Sequence, residues 1–320
     1  MFWRNKKVLV TGGAGVIGCP LINELINRAA NVLCVDRESK PMEMSEKVQY
    51  CQADISQMDM NSVIDFDPEV IFHLAASFER TDETPEFWNI NFRDNVLVSH
   101  RIIEAARTLR NLQKFVFASS YLIYSSALYL YDKPQEKSYS LKEGDILETR
   151  NLTGAAKYYT EKELEFMNTT QGEFITILAR IFRVYGCGSR DVISRWVRMA
   201  LNKEELVVFK KQNRFDYIYA GDVALGLIKS AENINHNEIV NLGSGRAYKI
   251  EDVLQTIKRL IPSLRIREIN EGVFFESSCS DMTKFIKLTH WQPNTTLDEG
   301  IKRIVNYENQ ILHNELCIKG

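Results

Sequence analysis

The chain has 320 residues, 45% of them hydrophobic and 26% charged, with a formal net charge of −2 at neutral pH. That length suits one large or two modest domains, and the balanced charge implies neither a polyanion nor a membrane surface as partner. No run approaches the eighteen apolar residues of a membrane span, and the first strand follows so soon that no room is left for a signal peptide, so a cytoplasmic protein is expected.

Val8-Leu9-Val10 reads as a buried strand. Gly12, Gly15 and Gly18 follow with the spacing G-x-x-G-x-x-G, then a helical pattern through Leu21, Leu25 and Ile26. The first glycine allows a tight turn, the second lets a pyrophosphate approach the backbone, and the third lets the helix pack close to the strand. The helix N-terminus then offers free N–H groups to phosphate. Residues 31–35 read as a second strand closed by Asp36, placed to bind the adenosine ribose hydroxyls. A carboxylate there repels a 2′-phosphate and favours NAD over NADP; Arg37 argues the other way, since an arginine there pairs with that phosphate.

Residues 48–54 read as a third strand. Asp54 at its end suits either the adenine amino group or a plain turn. Residues 70–76 make a fourth strand whose small end residues, Ala75 and Ala76, suit close approach by a ligand. His73 inside this apolar run reads as a satisfied core histidine rather than a base. Residues 91–110 predict a long helix, 114–120 a fifth strand ending in hydroxyls, 151–168 a helix and 174–182 a sixth strand. This alternation implies an α/β fold with a parallel, doubly wound sheet of the Rossmann type, and one crevice at the strand ends collecting Gly15, Asp36, Asp54, Ala75, Ser120 and the residues from Arg180 on. Beyond about residue 185 the pattern loosens into shorter pieces: helices at 193–201, 222–231 with Asp222 as N-cap, 250–260 and 297–311, and strands at 206–209, 216–219 and 239–242. The expected division is a dinucleotide-binding domain over 1–180 and a smaller α/β C-terminal substrate module over 181–320, interleaved with the first. The 5 histidines lack metal-ligand spacing. Cys19, Cys34, Cys51, Cys187, Cys279 and Cys317 lack C-x-x-C pairing, which fits reduced thiols.

These stretches together resemble the extended short-chain dehydrogenase/reductases, specifically the NAD-dependent nucleotide-sugar epimerase/dehydratase family. The matching segments are Thr11-Gly-Gly-Ala-Gly-Val-Ile-Gly18, Cys34-Val-Asp36, Ala53-Asp-Ile55, His73-Leu-Ala-Ala76, Asn95, Phe117-Ala-Ser-Ser120, Gly154-Ala-Ala-Lys157, Arg180-Ile-Phe-Arg-Val-Tyr-Gly186, Asp216-Tyr-Ile-Tyr-Ala-Gly-Asp-Val223, Asn241-Leu-Gly-Ser244 and Trp291-Gln-Pro293. Carried over residue by residue, the resemblance implies NAD contacts at Gly12, Gly15, Val16, Ile17, Gly18, Asp36, Arg37, Asp54, Ile55, Leu74, Ala75, Ala76, Asn95, Ser119 and Lys157. It implies a nucleotide-sugar substrate held by Ser77, Arg183, Arg190 and Arg214, no metal, and a homodimer through the helices at 91–110 and 151–168.

The family's chemistry passes hydride between a sugar carbon and NAD while the tyrosine of Y-x-x-x-K handles the hydroxyl proton. Ser120, four residues before Tyr124, matches the serine that orients the hydroxyl, and Lys157 matches the lysine. Thr153 stands where the tyrosine belongs. Positions four apart share a helix face, and an aliphatic hydroxyl cannot ionise at pH 7 as a tuned phenol of pKa ~10 can. Besides a substitution introduced at position 153 to trap substrate, two readings stay open. In one the enzyme is active as an epimerase, 4-keto reductase or 4-dehydrogenase, with Thr153 tolerated or with Tyr121 or Tyr124 as substitute base. In the other the protein binds NAD and a nucleotide sugar without turnover, as a sensor or assembly subunit. Tyr121-Leu122 replace the Asp-Glu pair of 4,6-dehydratases. Arg183 replaces the asparagine near the substrate diphosphate.

Overall fold

The computed structural model describes residues 2–78, 83–170, 174–269 and 274–319, from 314 on as backbone alone. Seven strands form one parallel sheet: β1 (Lys7–Thr11), β2 (Asn31–Asp36), β3 (Gln49–Gln52), β4 (Val70–His73), β5 (Lys114–Ser120), β6 (Ile175–Ile181) and β7 (Glu238–Leu242), in the order β7-β6-β5-β4-β1-β2-β3. The strands are near-continuous apolar runs because helices cover both faces. On one face Val8, Val10, Val32 and Phe72 pack with Leu21, Ile22 and Leu25 of α1 (Gly18–Asn27). On the other, Leu9, Ile71, Phe115 and Phe117 pack with Ile102 and Ile103. Each such side chain removed from water contributes about 1.5–3 kcal/mol. The strand order turns back between β1 and β4, which opens a crevice at their carboxyl ends.

The helix expected at 91–110 is three pieces: α2 (Pro85–Asn91), a wide π segment (Phe92–Leu97) and α3 (Val98–Ala106). It starts early because Thr84 accepts a hydrogen bond from Phe87 N and Pro85 takes the first helical position. The π segment turns Asp94 and Asn95 inward, both buried. Such single-turn distortions gather at functional sites. Helix α4 (Leu152–Thr170) follows β5 after a long excursion.

The second half adds helices α5 (Val192–Leu201) and α6 (Ala220–Asn233), and a three-stranded sheet joining Arg183–Tyr185, Arg214–Tyr219 and Ala247–Lys249. Its own core is built on Trp196, Phe215, Tyr217 and Ile301. The chain returns to the first sheet at β7, so the two halves are interleaved. Tyr139–Leu141 pairs with Ser278–Ser280, a partner 139 residues away that local sequence cannot reveal. Asp222 is not the N-cap expected of it. Helix α6 starts at Ala220 after Tyr219, and the Asp222 carboxylate instead accepts from Thr295 N at 2.9 Å, tying the C-terminal segment down. Among the described residues no helix is long and apolar enough to cross a membrane, and no group of three potential metal ligands occurs.

Candidate active site

The glycine turn is shaped by contacts that exclude side chains. Gly12 has φ +72°, and a Cβ there would stand 2.6 Å from Ala75 N, where β1 and β4 end side by side. A Cβ on Gly18 would stand 2.5 Å from Gly12 O, so the helix meets the strand edge-on. Gly15 is different: its Cβ would meet only Gly12 O at 3.2 Å, leaving an open face. No side chain caps α1; Cys19 N donates to Gly15 O at 3.1 Å and position 20 is proline, so the N–H groups left for a ligand are those of the turn before Cys19.

Asp36 sits at the end of β2 and steadies this turn, one oxygen accepting from Ala14 N at 2.8 Å and the other from Glu38 N at 2.9 Å. Around it lies a cavity of about 620 Å³, within the usual size of cofactor sites. Gly12, Gly15, Val16, Asp36, Arg37, Asp54, Ile55, Leu74, Ala75, Ala76, Ser77 and Arg190 are among the residues that line it. The open glycine face, the uncapped helix and the acid at the rim fit an adenine dinucleotide. Asp54 also accepts from Ser56 N at 2.9 Å, so it serves the turn as well as the cavity.

Arg37 is tied to Asp94 at 2.7 Å and reaches Ser77 Oγ at 3.3 Å. Burial would raise the Asp94 carboxyl, but hydrogen bonds from Arg93, Ser77 and Arg37 outweigh it and hold the group below the ordinary range. The cation weighed as a 2′-phosphate partner is therefore already engaged. Asn95 accepts from Ser77 N at 2.7 Å and donates to Ser77 O at 2.8 Å, so it fixes the loop after β4 instead of lining the cavity. Ile17 and Gly18 likewise act behind the cavity wall, at the start of α1.

The second group of residues lies around β5 and α4. Ser120 Oγ accepts from Leu122 N at 3.2 Å and caps the short turn Tyr121–Ile123. Helix α4 rests on that turn, since a Cβ on Gly154 would be 2.7 Å from Leu122 O. Thr153 and Lys157 are buried on the inner side of α4, at 5% and 7% exposure. The Lys157 ammonium lies over the Phe117 ring at 4.7 Å. Burial lowers its pKa to about 8, with Glu161 opposing the shift.

Four expectations are corrected here. Ser119 and Ser120 point to opposite faces, as neighbours on a strand must. Ser119 Oγ donates to Glu161 at 2.5 Å and does not line the cofactor cavity. Tyr124 donates to Asn241 Oδ1 at 2.7 Å and accepts from Arg180 at 3.2 Å, and burial pushes its hydroxyl up to about 12. Tyr121 stacks on Phe182 with ring centroids 5.2 Å apart, and burial drives its hydroxyl above the ordinary range. Both tyrosines are poor substitute bases. Arg180 is 2% exposed and holds both Glu161 oxygens, at 3.1 and 2.8 Å, so it belongs beneath the helix and not in the crevice.

Of the substrate candidates, Arg183 pairs with buried Glu276 at 3.1 Å, opposite Arg150 at 2.6 Å, and its guanidinium lies 3.9 Å from the Phe215 ring centroid. Arg183 Nε is buried without a partner among the described residues. Arg214 donates to Gln135 O at 3.1 Å. His73 is fully buried between Thr11 Oγ1 and Ser99 Oγ, at 2.7 and 3.0 Å. Sequence reading missed Glu161, Asp94 and Glu276. Only Glu161 had a local signal, four residues after Lys157 on the same helix face.

The model of the NAD dependent epimerase/dehydratase family matches residues 8–243. The chain belongs to this family. It is 30% identical to a putative UDP-glucose 4-epimerase of Methanocaldococcus jannaschii over 94% of this chain and 97% of that one. It is 28% identical to a UDP-N-acetyl-alpha-D-glucosaminuronate decarboxylase of Bacillus cytotoxicus, over 96% and 98%. Among solved structures it resembles MoeE5 in complex with UDP-glucose and NAD, with TM-score 0.82, 25% identity, and 96% and 99% of the two chains covered. NAD is the cofactor of this family.

Proposed function

We propose that the protein is an NAD-dependent enzyme acting on the sugar of a nucleotide sugar, by oxidation or reduction at a ring carbinol as in an epimerase, 4-keto reductase or 4-dehydrogenase. The UDP-sugars in the relatives' names set the substrate class. The carrying observation is Lys157: a lysine with 7% exposure, on the helix that rests against the turn after Ser120, in a chain with a built dinucleotide cradle. NAD would be held by the glycine turn, Asp36 and Asp54, and supplies a hydride acceptor when bound. Ser120 orients the hydroxyl, Lys157 lies at the ribose, and Arg183 and Arg190 offer charge for phosphates.

Incubation with NAD and a panel of UDP-hexoses and UDP-hexuronates tests this, read by mass and by reduced-nicotinamide absorbance. Conversion of one sugar supports the reading. NAD binding with every sugar returned unchanged favours the sensor or assembly subunit, for which Thr153 is the motive, and a Thr153→Tyr protein that then gains activity would strengthen that second reading.

A cytoplasmic homodimer goes with the proposal. Five cysteines whose side chains are described are all free; Cys317 lies outside that set. Trp88, Phe92, Tyr159 and Phe166 are 51–70% exposed on the helical face of α2, the π segment and α4, an apolar area suited to a second copy. Light scattering showing dimers that Phe166→Glu dissociates supports it; a monomer at micromolar concentration refutes it.

A further inference from the structure

The wall of the dinucleotide cavity carries an uneven set of charges. Among the described residues, Asp36, Glu38, Asp54 and Asp94 line it against Arg37 and Arg190. Arg37 directly follows Asp36 at the end of β2, and its side chain is half exposed. A cation in that place, on a long flexible stem, would accept a 2′-phosphate if it were free. It is tied to the π segment instead. Its Nη1 donates to Asp94 Oδ2 at 2.7 Å and its Nη2 to Ser77 Oγ at 3.3 Å, while Ser77 Oγ donates to the same Asp94 oxygen at 2.5 Å. Glu38 lies 3.5 Å from its Nε.

Asp94 is held in place by its own element. The π segment turns it inward, and its side chain is 8% exposed. Its neighbour Asn95 grips both backbone groups of Ser77, accepting from N at 2.7 Å and donating to O at 2.8 Å, and also donates to Asn91 Oδ1 at 2.7 Å. Arg93, which does not line the cavity, donates to the other Asp94 oxygen at 2.6 Å. The carboxylate is therefore registered to the loop after β4 before Arg37 reaches it. A fixed, sheltered acceptor holds an arginine more firmly than two mobile surface side chains hold each other.

We propose that Asp94 sets the choice between NAD and NADP, by withholding Arg37 from a 2′-phosphate. Asp36 supplies the attraction, toward the ribose hydroxyls. Asp94 supplies the rejection: it cancels the cation beside Asp36 and leaves that corner net negative. Discrimination between two similar ligands uses both elements. The controlling carboxylate stands 57 residues from the cation it controls. The inference rests on the dinucleotide-binding part of the proposed function and not on sugar turnover.

Calorimetric titration of the protein with NAD and with NADP tests this. The readout is the ratio of the two dissociation constants, so that damage common to both ligands cancels. Wild type should favour NAD by about tenfold or more. Asp94→Asn keeps the shape, removes the charge and releases Arg37. Its ratio should shift toward NADP by roughly ten- to hundredfold, the range of a charge-assisted hydrogen bond. Adding Arg37→Gln to Asp94→Asn should abolish that shift. Arg37→Gln alone alters a half-exposed side chain, so it keeps the proposal testable even if Asp94→Asn does not fold. It should cost NADP less than about tenfold relative to NAD, because the cation it removes is already engaged. An unchanged ratio in Asp94→Asn, a shift that survives in the double variant, or a larger loss of NADP in Arg37→Gln alone overturns the proposal. So does a wild type that binds both dinucleotides equally. If wild type binds neither, the cradle reading fails and this inference falls with it. If NAD binds and no sugar is converted, the nucleotide-sugar reading fails alone.

Discussion

Replacing Glu161 by glutamine tests how the floor of the site is held. Glu161 and Arg180 have side-chain exposures of 0% and 2%, and Arg180 donates to both carboxylate oxygens while Ser119 donates to one. Glutamine keeps the shape and one acceptor but removes the charge, leaving a guanidinium uncompensated in the interior. Breaking one side of a buried pair costs about 3–5 kcal/mol, a large share of the ~5–15 kcal/mol that holds a domain folded. At about 2–4 °C per kcal/mol, and at the low end for a long chain, the melting temperature should fall by roughly 6–10 °C. Urea unfolding followed by tryptophan fluorescence should show an earlier midpoint with an unchanged slope. Glu161→Leu combined with Arg180→Met removes both charges and should recover part of the loss. A single-variant cost below ~1 kcal/mol, or a double variant worse than the single, would refute the reasoning, because the pair would then carry no buried charge to strand.

Three more outcomes are expected. Gly12→Ala forces a left-handed residue and a Cβ 2.6 Å from Ala75 N, so it should unfold early, whereas Gly15→Ala, with a nearest contact of 3.2 Å, should melt normally and fail to take up NAD in calorimetry. Burial and the Lys157 charge lower the His73 pKa to about 3 from an ordinary 6.5. The unfolded chain therefore binds the extra proton, stability is full above 6.5, and it is lost as pH falls towards 3 at up to ~1.4 kcal/mol per unit; denaturant midpoints between pH 6.5 and 5 should fall for the wild type and less for His73→Asn. Lys157→Met should melt higher than wild type at pH 7, because burial disfavours the ammonium. That advantage should shrink as pH rises from 8 to 10.5, where the unfolded lysine still holds a proton that the folded one has released. A constant gap across that range would contradict the burial argument.

Local pattern carried the reading of the sheet because each signal was complete within a few residues. The run Val8-Leu9-Val10, the glycine spacing after it and Asp36 at the next strand end constrain one another over one βαβ unit. The helix at 91–110 was misjudged because apolar periodicity does not distinguish an α turn from a π turn. The Thr84-Pro85 start signal was available in the sequence but was passed over. Asp222 looked like an N-cap because it opened an apolar period, yet its partner, Thr295 N, lies 73 residues later.

By itself the sequence determined the strand and helix alternation, the glycine cradle with its acidic rim, and the threonine that stands where a tyrosine belongs. Only the tertiary structure decided what the buried charges do. It brought Arg180 from β6 under Glu161 of α4, engaged Tyr124 with Asn241 of β7, tied Arg37 to Asp94, and set the Lys157 ammonium over the Phe117 ring. The reason is that propensity and periodicity act within a dozen residues, whereas the pKa and pairing of a buried group depend on whichever distant segments the sheet order places beside it.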